Sequence, residues 1–497
     1  MFESAELGHT IDKVTYDALV PKLREDLLNA QFDLSQQSSF PVILLINGVD
    51  GAGKGETVNL LNAWMDPRHI EVHAMGEKSD EERERPPMWR FWRALPPKGK
   101  IGIFFGSWYT APIVQRVMGK TKAANLNQSI DEINRFEKML THEGALIIKF
   151  WFHLSQEAQR KRLKGLEKNP KTRWRVTELD WERFKLYSKF RRISEQALRA
   201  TSTAEAPWLV IDGTDPRYRS VSAGTILLEA MRQRLDHPGT AIRSNVPPLQ
   251  APLDRLNVFN KLDLSQKIVK NTFDSELEKY QGKLNLLTRD ERFHNMSVIA
   301  LFEGSDAAGK GGAIRRITSA LDARHYHIIA VAAPTEEERA QPYLWRFWRH
   351  IPRIGRVTIF DRSWYGRVLV ERVEKLCSET DWLRAYGEIN DFEEQLVKNN
   401  TVLVKFWLAI TKEEQLRRFK EREKTGFKRF KITDEDWRNR KKWNAYETAA
   451  CDMVDRTSTE QAPWTLVEAN DKNFARIKIL KTLCQQIEFR MKKKADH

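Results

Sequence analysis

The chain has 497 residues, 41% of them apolar and 30% charged, with a formal net charge of +15 at pH 7. That length is too great for one ordinary domain. No apolar run approaches the roughly 20 residues that span a bilayer, and Cys377, Cys451 and Cys484, odd in number and without a CxxC pair, fit reduced thiols in a cytoplasm rather than a disulfide framework or zinc site. The first residues, MFESAELGHT, include acids and lack a basic segment leading into an apolar stretch, so no signal peptide is expected. The positive charge asks for a polyanionic partner.

In chain order, PVILLING (41–48) is a short apolar run ending in glycine, as a buried parallel strand does. GVDGAGKG (48–55) follows and leads into a helical stretch, GETVNLLNAWM. MWRFWRALP (88–96) places tryptophans three apart, and IFFGSWYTA spans 103–111. GALIIKFWFHL (144–154) is a further strand. From Arg160 to Arg192 the chain holds thirteen Lys or Arg against four acids, and PWLVIDG (207–213) is another strand. Residues 236–252, DHPGTAIRSNVPPLQAP, have four prolines and no apolar period, and are expected to link two domains, 1–235 and 253–497.

The pattern then repeats. SVIALFEG (297–304), GSDAAGKG (304–311), GGAIRRITSAL, LWRFWRHIP (344–352), RVTIFDRS (356–363), NTVLVKFWLAI (400–410) and PWTLVEA (463–469) follow in the same order. Gly48 and Gly304, Trp89 and Trp345, Ser107 and Ser363, Trp151 and Trp407, and Trp208 and Trp464 are each 256 apart (304 − 48). This is a duplicated domain. Strands separated by helical stretches predict two α/β domains, each a parallel sheet flanked by helices, with sites at the carboxyl ends of the strands.

Both glycine loops fit G-x-x-x-x-G-K between strand and helix, the context that confirms a phosphate loop. Gly304, Gly309 and Gly311 let backbone N–H groups turn toward phosphate oxygens, and Lys310 adds a full charge. The usual magnesium-binding hydroxyl after the lysine is replaced by Gly55 or Gly311, and each loop has an acid instead, Asp50 or Asp306. Asp361 is placed at a strand end, so Asp306 and Asp361 are the expected metal ligands. Arg362 and Arg367 would neutralise a transferring phosphoryl group. The alternative for Asp361 is a helix N-cap, since Asp-Arg-Ser can begin a helix.

The first copy has Phe105, Gly106 and Ala111 where the second has Asp361, Arg362 and Arg367. It is expected to be inactive and retained for packing. The second basic arm, Arg417 to Lys442, holds twelve Lys or Arg against five acids. Arg417, Arg422, Arg429 and Lys431 are the candidates for a lid over a long phosphate chain. Trp345 and Trp348 are expected in the core, with Arg346 and Arg349 available to an acceptor phosphate.

On GSDAAGKG, TEEERAQPYLWRFWRHIP, DRSWYGR, EINDFEEQL and KRFKITDEDWRNRKKWNAY, the chain resembles the polyphosphate kinase 2 family. That resemblance implies a thymidylate-kinase-like P-loop fold with a helical lid in each half. The fused form is similar to the family's class II, which implies transfer of the terminal phosphoryl of inorganic polyphosphate to AMP, giving ADP, with Mg2+, or Mn2+ in its place. It also implies catalytic roles for Asp306, Lys310, Asp361, Arg362 and Arg367. The two halves would pack as a dimer of single domains does, with further homo-oligomers left open and no nucleic acid or membrane as partner. The competing readings are an ATP-dependent nucleoside monophosphate kinase and a non-catalytic nucleic-acid or polyanion binder.

Overall fold

The computed structural model describes residues 1–237, 257–426 and 432–493. The expected linker from 238 onward, and the lid candidates Arg429 and Lys431, lie outside them. By contacts the chain divides into two compact units. One takes in Met1–Lys78, the described part of Arg90–Ile242, and Thr335–Trp345; the other takes in Ser79–Trp89, the described part of Arg243–Pro334, and the described residues from Arg346 on. Two short segments therefore group across the repeat boundary. Each holds one helical turn closed by a capping box, Ser79 with Glu82 and Thr335 with Glu338. In the second unit Trp89 Nε1 donates to the Trp348 carbonyl at 3.0 Å, and in the first Gln341 Nε2 donates to the Leu95 carbonyl at 3.0 Å.

The first unit is built on β1 (Val42–Gly48), β2 (Ile70–Ala74), β3 (Ile101–Phe105), β4 (Leu146–His153) and β5 (Trp208–Asp212). The second repeats it with β6 (Ser297–Gly304), β7 (Tyr326–Ala330), β8 (Val357–Asp361), β9 (Thr401–Ala409) and β10 (Trp464–Glu468). Both sheets are parallel, in the order β2-β3-β1-β4-β5 and its equivalent β7-β8-β6-β9-β10. The central strands are apolar on both faces because helices cover both. The sequence reading names four strands in the second copy and three in the first, where β3 is not singled out. It also misses β2 and β7, edge strands of five residues that are half exposed and so carry no continuous apolar run.

In the first unit the helices Lys13–Gln37 and Pro216–Asp236 pack together on one face; in the second Lys270–Arg289 and Lys472–Lys493 do the same. Gly304 closes β6 against β9, where a β-carbon would stand 2.4 Å from the Leu408 carbonyl oxygen. Only glycine fits that approach. The register pairs Phe302 with Asp361, so β8 ends beside the phosphate loop. No described helix is long and apolar enough to cross a membrane.

Candidate active site

In the second unit Gly309, in the left-handed region at φ 115°, turns the chain into the helix Lys310–Thr318. Lys310 Nζ donates to the Gly304 carbonyl at 2.8 Å, which folds the side chain back over the loop it belongs to. Asp306 stands at the centre. Its carboxylate accepts from Arg362 at 3.1 Å and from Asn439 Nδ2 at 2.9 Å. Burial works against the charge on Arg362, but Asp306, Glu303 and other acids outweigh it and hold its pKa above the usual arginine value. Asn439 lies on the helix Asp434–Lys441, in the basic arm, so the loop and the arm meet at Asp306. The contact continues outward. Tyr446 Oη is 3.1 Å from Asn439 Oδ1 and 3.3 Å from Glu374, and Lys442 Nζ donates to Glu374 at 2.7 Å. Burial and then the Glu374 charge push the Tyr446 phenol up, so it stays protonated.

Asp361 ends β8, and its carboxylate makes no hydrogen bond or ion pair among the described residues. The helix-capping alternative falls to its neighbour: Ser363 caps the short turn Trp364–Arg367, accepting from the Tyr365 N–H at 3.4 Å. Ser363 Oγ also donates to Glu303 at 2.8 Å. Burial raises the Glu303 pKa, against the pull of Lys310. Below this turn lies a buried network. Trp364 Nε1, Tyr365 Oη and Lys405 Nζ all donate to Glu393, at 3.0, 2.6 and 2.7 Å, and Lys405 also reaches the Thr457 carbonyl at 2.7 Å. Burial lowers the Lys405 pKa and the Glu393 charge opposes that.

Asp306, Lys310, Asp361 and Arg362 line one cavity of about 710 Å³. Arg315, Arg316, Arg418, Arg422, Lys472 and Arg476 complete its cations, eight against the four acids Asp306, Asp361, Glu421 and Asp436. Burial and then Arg418 depress Lys472; burial and then Arg316 depress Arg476. Crowded cations with lowered pKa values mark a place where an anion is stabilised. Arg418 is buried and acts as a brace: it donates to the carbonyls of Ala307 and Ala308, both at 2.9 Å, and of Ala469 at 2.6 Å.

Some expected residues stand elsewhere. Arg417 turns out toward solvent and is held by Glu414 at 2.7 Å; one position on, Arg418 faces the loop instead. Arg367 does not line the cavity and lies 2.8 Å from Glu371. Arg346 reaches the Ala332 carbonyl at 3.0 Å, and neither it nor Arg349 lines the cavity. Trp345 and Trp348 are buried, as expected of core residues. Glu303, Glu374, Asn439, Lys442 and Tyr446 were not picked out from the sequence.

The model of the family described as polyphosphate kinase 2 matches residues 10–238 and again 267–495. The chain belongs to the polyphosphate kinase 2 family. Polyphosphate:AMP phosphotransferase of Pseudomonas aeruginosa is 60% identical over 494 residues, covering 99% of this chain and 100% of that protein. The protein of the same name from Pseudomonas syringae pv. tomato is 56% identical over 490 residues, 98% of each. A crystal structure from Pseudomonas aeruginosa, assigned to polyphosphate kinase 2, matches with a TM-score of 0.90 at 57% identity, over 99% of this chain and 100% of that one.

The two copies of the polyphosphate kinase 2 fold keep the same frame. In the first unit Trp108, Tyr109 and Lys149 donate to Glu137 at 2.9, 2.7 and 2.7 Å, and Lys149 reaches the Thr201 carbonyl at 2.6 Å. The surroundings differ. Asn59, Leu60, Leu166, Pro216 and Ser220 stand at the positions of Arg315, Arg316, Arg422, Lys472 and Arg476. Glu56 replaces Gly312 and draws in Arg162 at 3.0 Å, Arg175 at 3.6 Å and Arg219 at 2.8 Å. The three arginines that remain there share one carboxylate within the unit.

Proposed function

We propose that this chain transfers the terminal phosphoryl group of inorganic polyphosphate to AMP, giving ADP, and that the second unit alone does the chemistry. The observation that carries the reading is the cavity where eight cations face four acids, with the unpaired Asp361 carboxylate at its edge. The relatives named polyphosphate:AMP phosphotransferase supply donor and acceptor. Phosphoryl transfer needs positioning and charge stabilisation more than covalent help. The wall of Arg315, Arg316, Arg422, Lys472 and Arg476 would hold the polyphosphate chain. The N-terminus of the helix Lys310–Thr318, with Lys310 and Arg362, would face the group in transfer. In the reaction an AMP phosphate oxygen bonds to the terminal phosphorus, the anhydride bond behind it breaks, and the polyphosphate leaves one unit shorter.

Asp306 and Asp361 are the residues that would hold Mg2+. Among the described residues no group of three or more His, Cys, Asp or Glu is arranged for a metal. Two carboxylates nonetheless fit Mg2+, which keeps waters and takes substrate phosphate oxygens as its other ligands. When bound, it would neutralise charge on those oxygens. The contacts of Asp306 with Arg362 and Asn439 would tie a metal held there to the basic arm, setting the arm's position and the acid's orientation together.

Nucleotide chromatography after mixing the protein, Mg2+, polyphosphate and each nucleoside monophosphate tests the reading. ADP should form from AMP only when polyphosphate is present. ADP formed from AMP and ATP, with none from polyphosphate, would replace this reading with that of an ATP-dependent kinase.

A further inference from the structure

The first unit has a cavity of about 530 Å³ at the end of its sheet, between the loop 46–54, the turn 105–110, and the helices Thr110–Val117 and Tyr187–Thr201. That volume is in the range of small-molecule sites, about 300–1,000 Å³. Its chemistry is the reverse of the second unit's. Position for position, Asp361 becomes Phe105, Arg362 becomes Gly106, Glu374 becomes Met118, Glu435 becomes Leu179, Lys442 becomes Leu186 and Tyr446 becomes Phe190. All six replacements line the cavity. The lining keeps only three charged residues, and they sit together. Asp50 holds Lys54 at 3.3 Å and has Arg183 at 3.7 Å, leaving an excess of one positive charge.

A second observation is independent of the apolar wall. Three buried polar atoms of the lining have no hydrogen-bond partner: Asn47 Nδ2, Trp151 Nε1 and Gln159 Oε1. Their residues are 7%, 2% and 5% exposed. Buried polar atoms without partners are rare because each costs free energy. The substitutions created at least two of these. In the second unit Gln415 Oε1 accepts from Arg440 at 3.2 Å, and the first unit has Phe184 at that position. Glu303 is an acceptor satisfied by Ser363, whereas Asn47 brings an amide N–H2 with nothing to donate to.

We propose that this cavity is a binding site for a planar heteroaromatic small molecule, with hydrogen-bond acceptors and a donor on its edge and at most one negative charge. The apolar wall would take the faces of the ring. Asn47 and Trp151 would donate to its edge, and Gln159 would accept from it. A nucleotide is the wrong class here. Lys54 Nζ is held by the Gly48 carbonyl and Asp50, and Arg183, the other cation of the lining, also faces Asp50, so the lining offers a net charge of one against a doubly charged phosphate. The site is independent of the proposed transfer reaction, and its test reads binding instead of turnover.

The probe is 8-anilinonaphthalene-1-sulfonate, aromatic with one negative charge. Its fluorescence is titrated with the full chain while saturating AMP and polyphosphate, without Mg2+, fill the second unit. One saturable site per chain is expected. Val114 lines this cavity and is half exposed, so Val114→Arg should fold, and it should weaken dye binding by about tenfold or more by placing a charge at an apolar wall. Val114→Ala should keep the site, and both variants should keep phosphoryl transfer. Free adenine, planar, neutral and edged with donors and acceptors, should displace the dye. The absence of saturable binding, or equal binding by wild type and Val114→Arg, overturns the site. Failure of excess adenine to compete overturns the heteroaromatic assignment.

Discussion

Residues 103–111 and 359–367 place Ser-Trp-Tyr over equivalent buried networks, the first running on into the helix Thr110–Val117 and the second into the short turn Trp364–Arg367, and the two cavities beside them have opposite chemistry. The frame is a lysine, a glutamate, a tyrosine and two tryptophans in each unit. It holds the strand-to-turn junction whether or not the junction carries charge. The Ser-Trp-Tyr of both copies belongs to that frame, which is why it persists where Asp361 and Arg362 have become Phe105 and Gly106. The backbone shows the same division. Ala307 and Arg362 sit at φ 62° and 63°, while their counterparts Gly51 and Gly106 sit at 82° and 80°. Side chains in that region cost about 1–2 kcal/mol each. The second unit tolerates this cost at residues around its cavity, and the first has glycine at both positions.

The largest expected effect tests the shared frame. Lys405 and Lys149 are fully buried and each is paired with a buried glutamate. Lys405→Met leaves Glu393 charged without its partner, and should destabilise the second unit by about 3–5 kcal/mol. Lys149→Met should do the same to the first. Denaturant melts of both variants measure this. An unequal pair of losses, with one near zero, would show that the two networks are not equivalent supports.

Next come the groups that differ in setting. Lys310→Ala and Asp361→Asn should each lower turnover by about 10²- to 10³-fold, or about 3–4 kcal/mol of lost charge stabilisation. The fold should survive, because neither side chain holds the core. Initial rates of ADP formation give the answer, and near-normal turnover in Asp361→Asn would remove the metal assignment.

How much of this was legible in the sequence depends on what each residue answers to. The central strands were legible because VILLING and SVIALFEG bury both faces and end in glycines that a close approach demands. The loop, its lysine and the strand-end acid were legible from spacing. The arm was legible only as charge. Composition cannot say which arginine of Arg417 and Arg418 turns inward, because helix rotation is set by packing. Arg418 shares a face with Gln415, whose amide donates to the Asp306 carbonyl at 3.1 Å. The chain Asp306–Asn439–Tyr446–Glu374–Lys442 is tertiary, linking residues 306 to 446. A signal for it was present all the same. Subtracting the first copy from the second shows Glu374, Lys442 and Tyr446 as polar residues standing against Met118, Leu186 and Phe190.

Arg362→Gly makes the second unit's turn resemble the first's. Turnover should fall by about a hundredfold through the lost guanidinium. Stability should stay within about 1 kcal/mol of wild type. Relief of the left-handed arginine, about 1–2 kcal/mol, is offset by the entropy that glycine gains in the unfolded chain, about 0.5–1 kcal/mol, and by the loss of a half-exposed contact with Asp306. Parallel rate and melting measurements separate the two. A large loss of both together would make Arg362 a structural residue.

The smallest expected effect is at Lys54. Lys54→Ala should leave turnover within about tenfold of wild type, a barrier change of about 1.4 kcal/mol. Its amine is held by the Gly48 carbonyl at 2.7 Å and by Asp50 at 3.3 Å, as Lys310 is held by Gly304, so the loop geometry is intact. What is missing is everything the lysine would act with. Phe105 cannot carry a metal, Gly106 has no guanidinium, and the position of Arg476 is Ser220. A phosphate reaching this loop would meet Lys54 and Arg183, both already facing Asp50, beside a cavity whose wall is apolar. Steady-state rates for Lys54→Ala and Lys310→Ala, measured side by side, decide the matter. If Lys54→Ala is as inactive as Lys310→Ala, the first unit takes part in the chemistry and the division of labour argued from Phe105 and Gly106 fails.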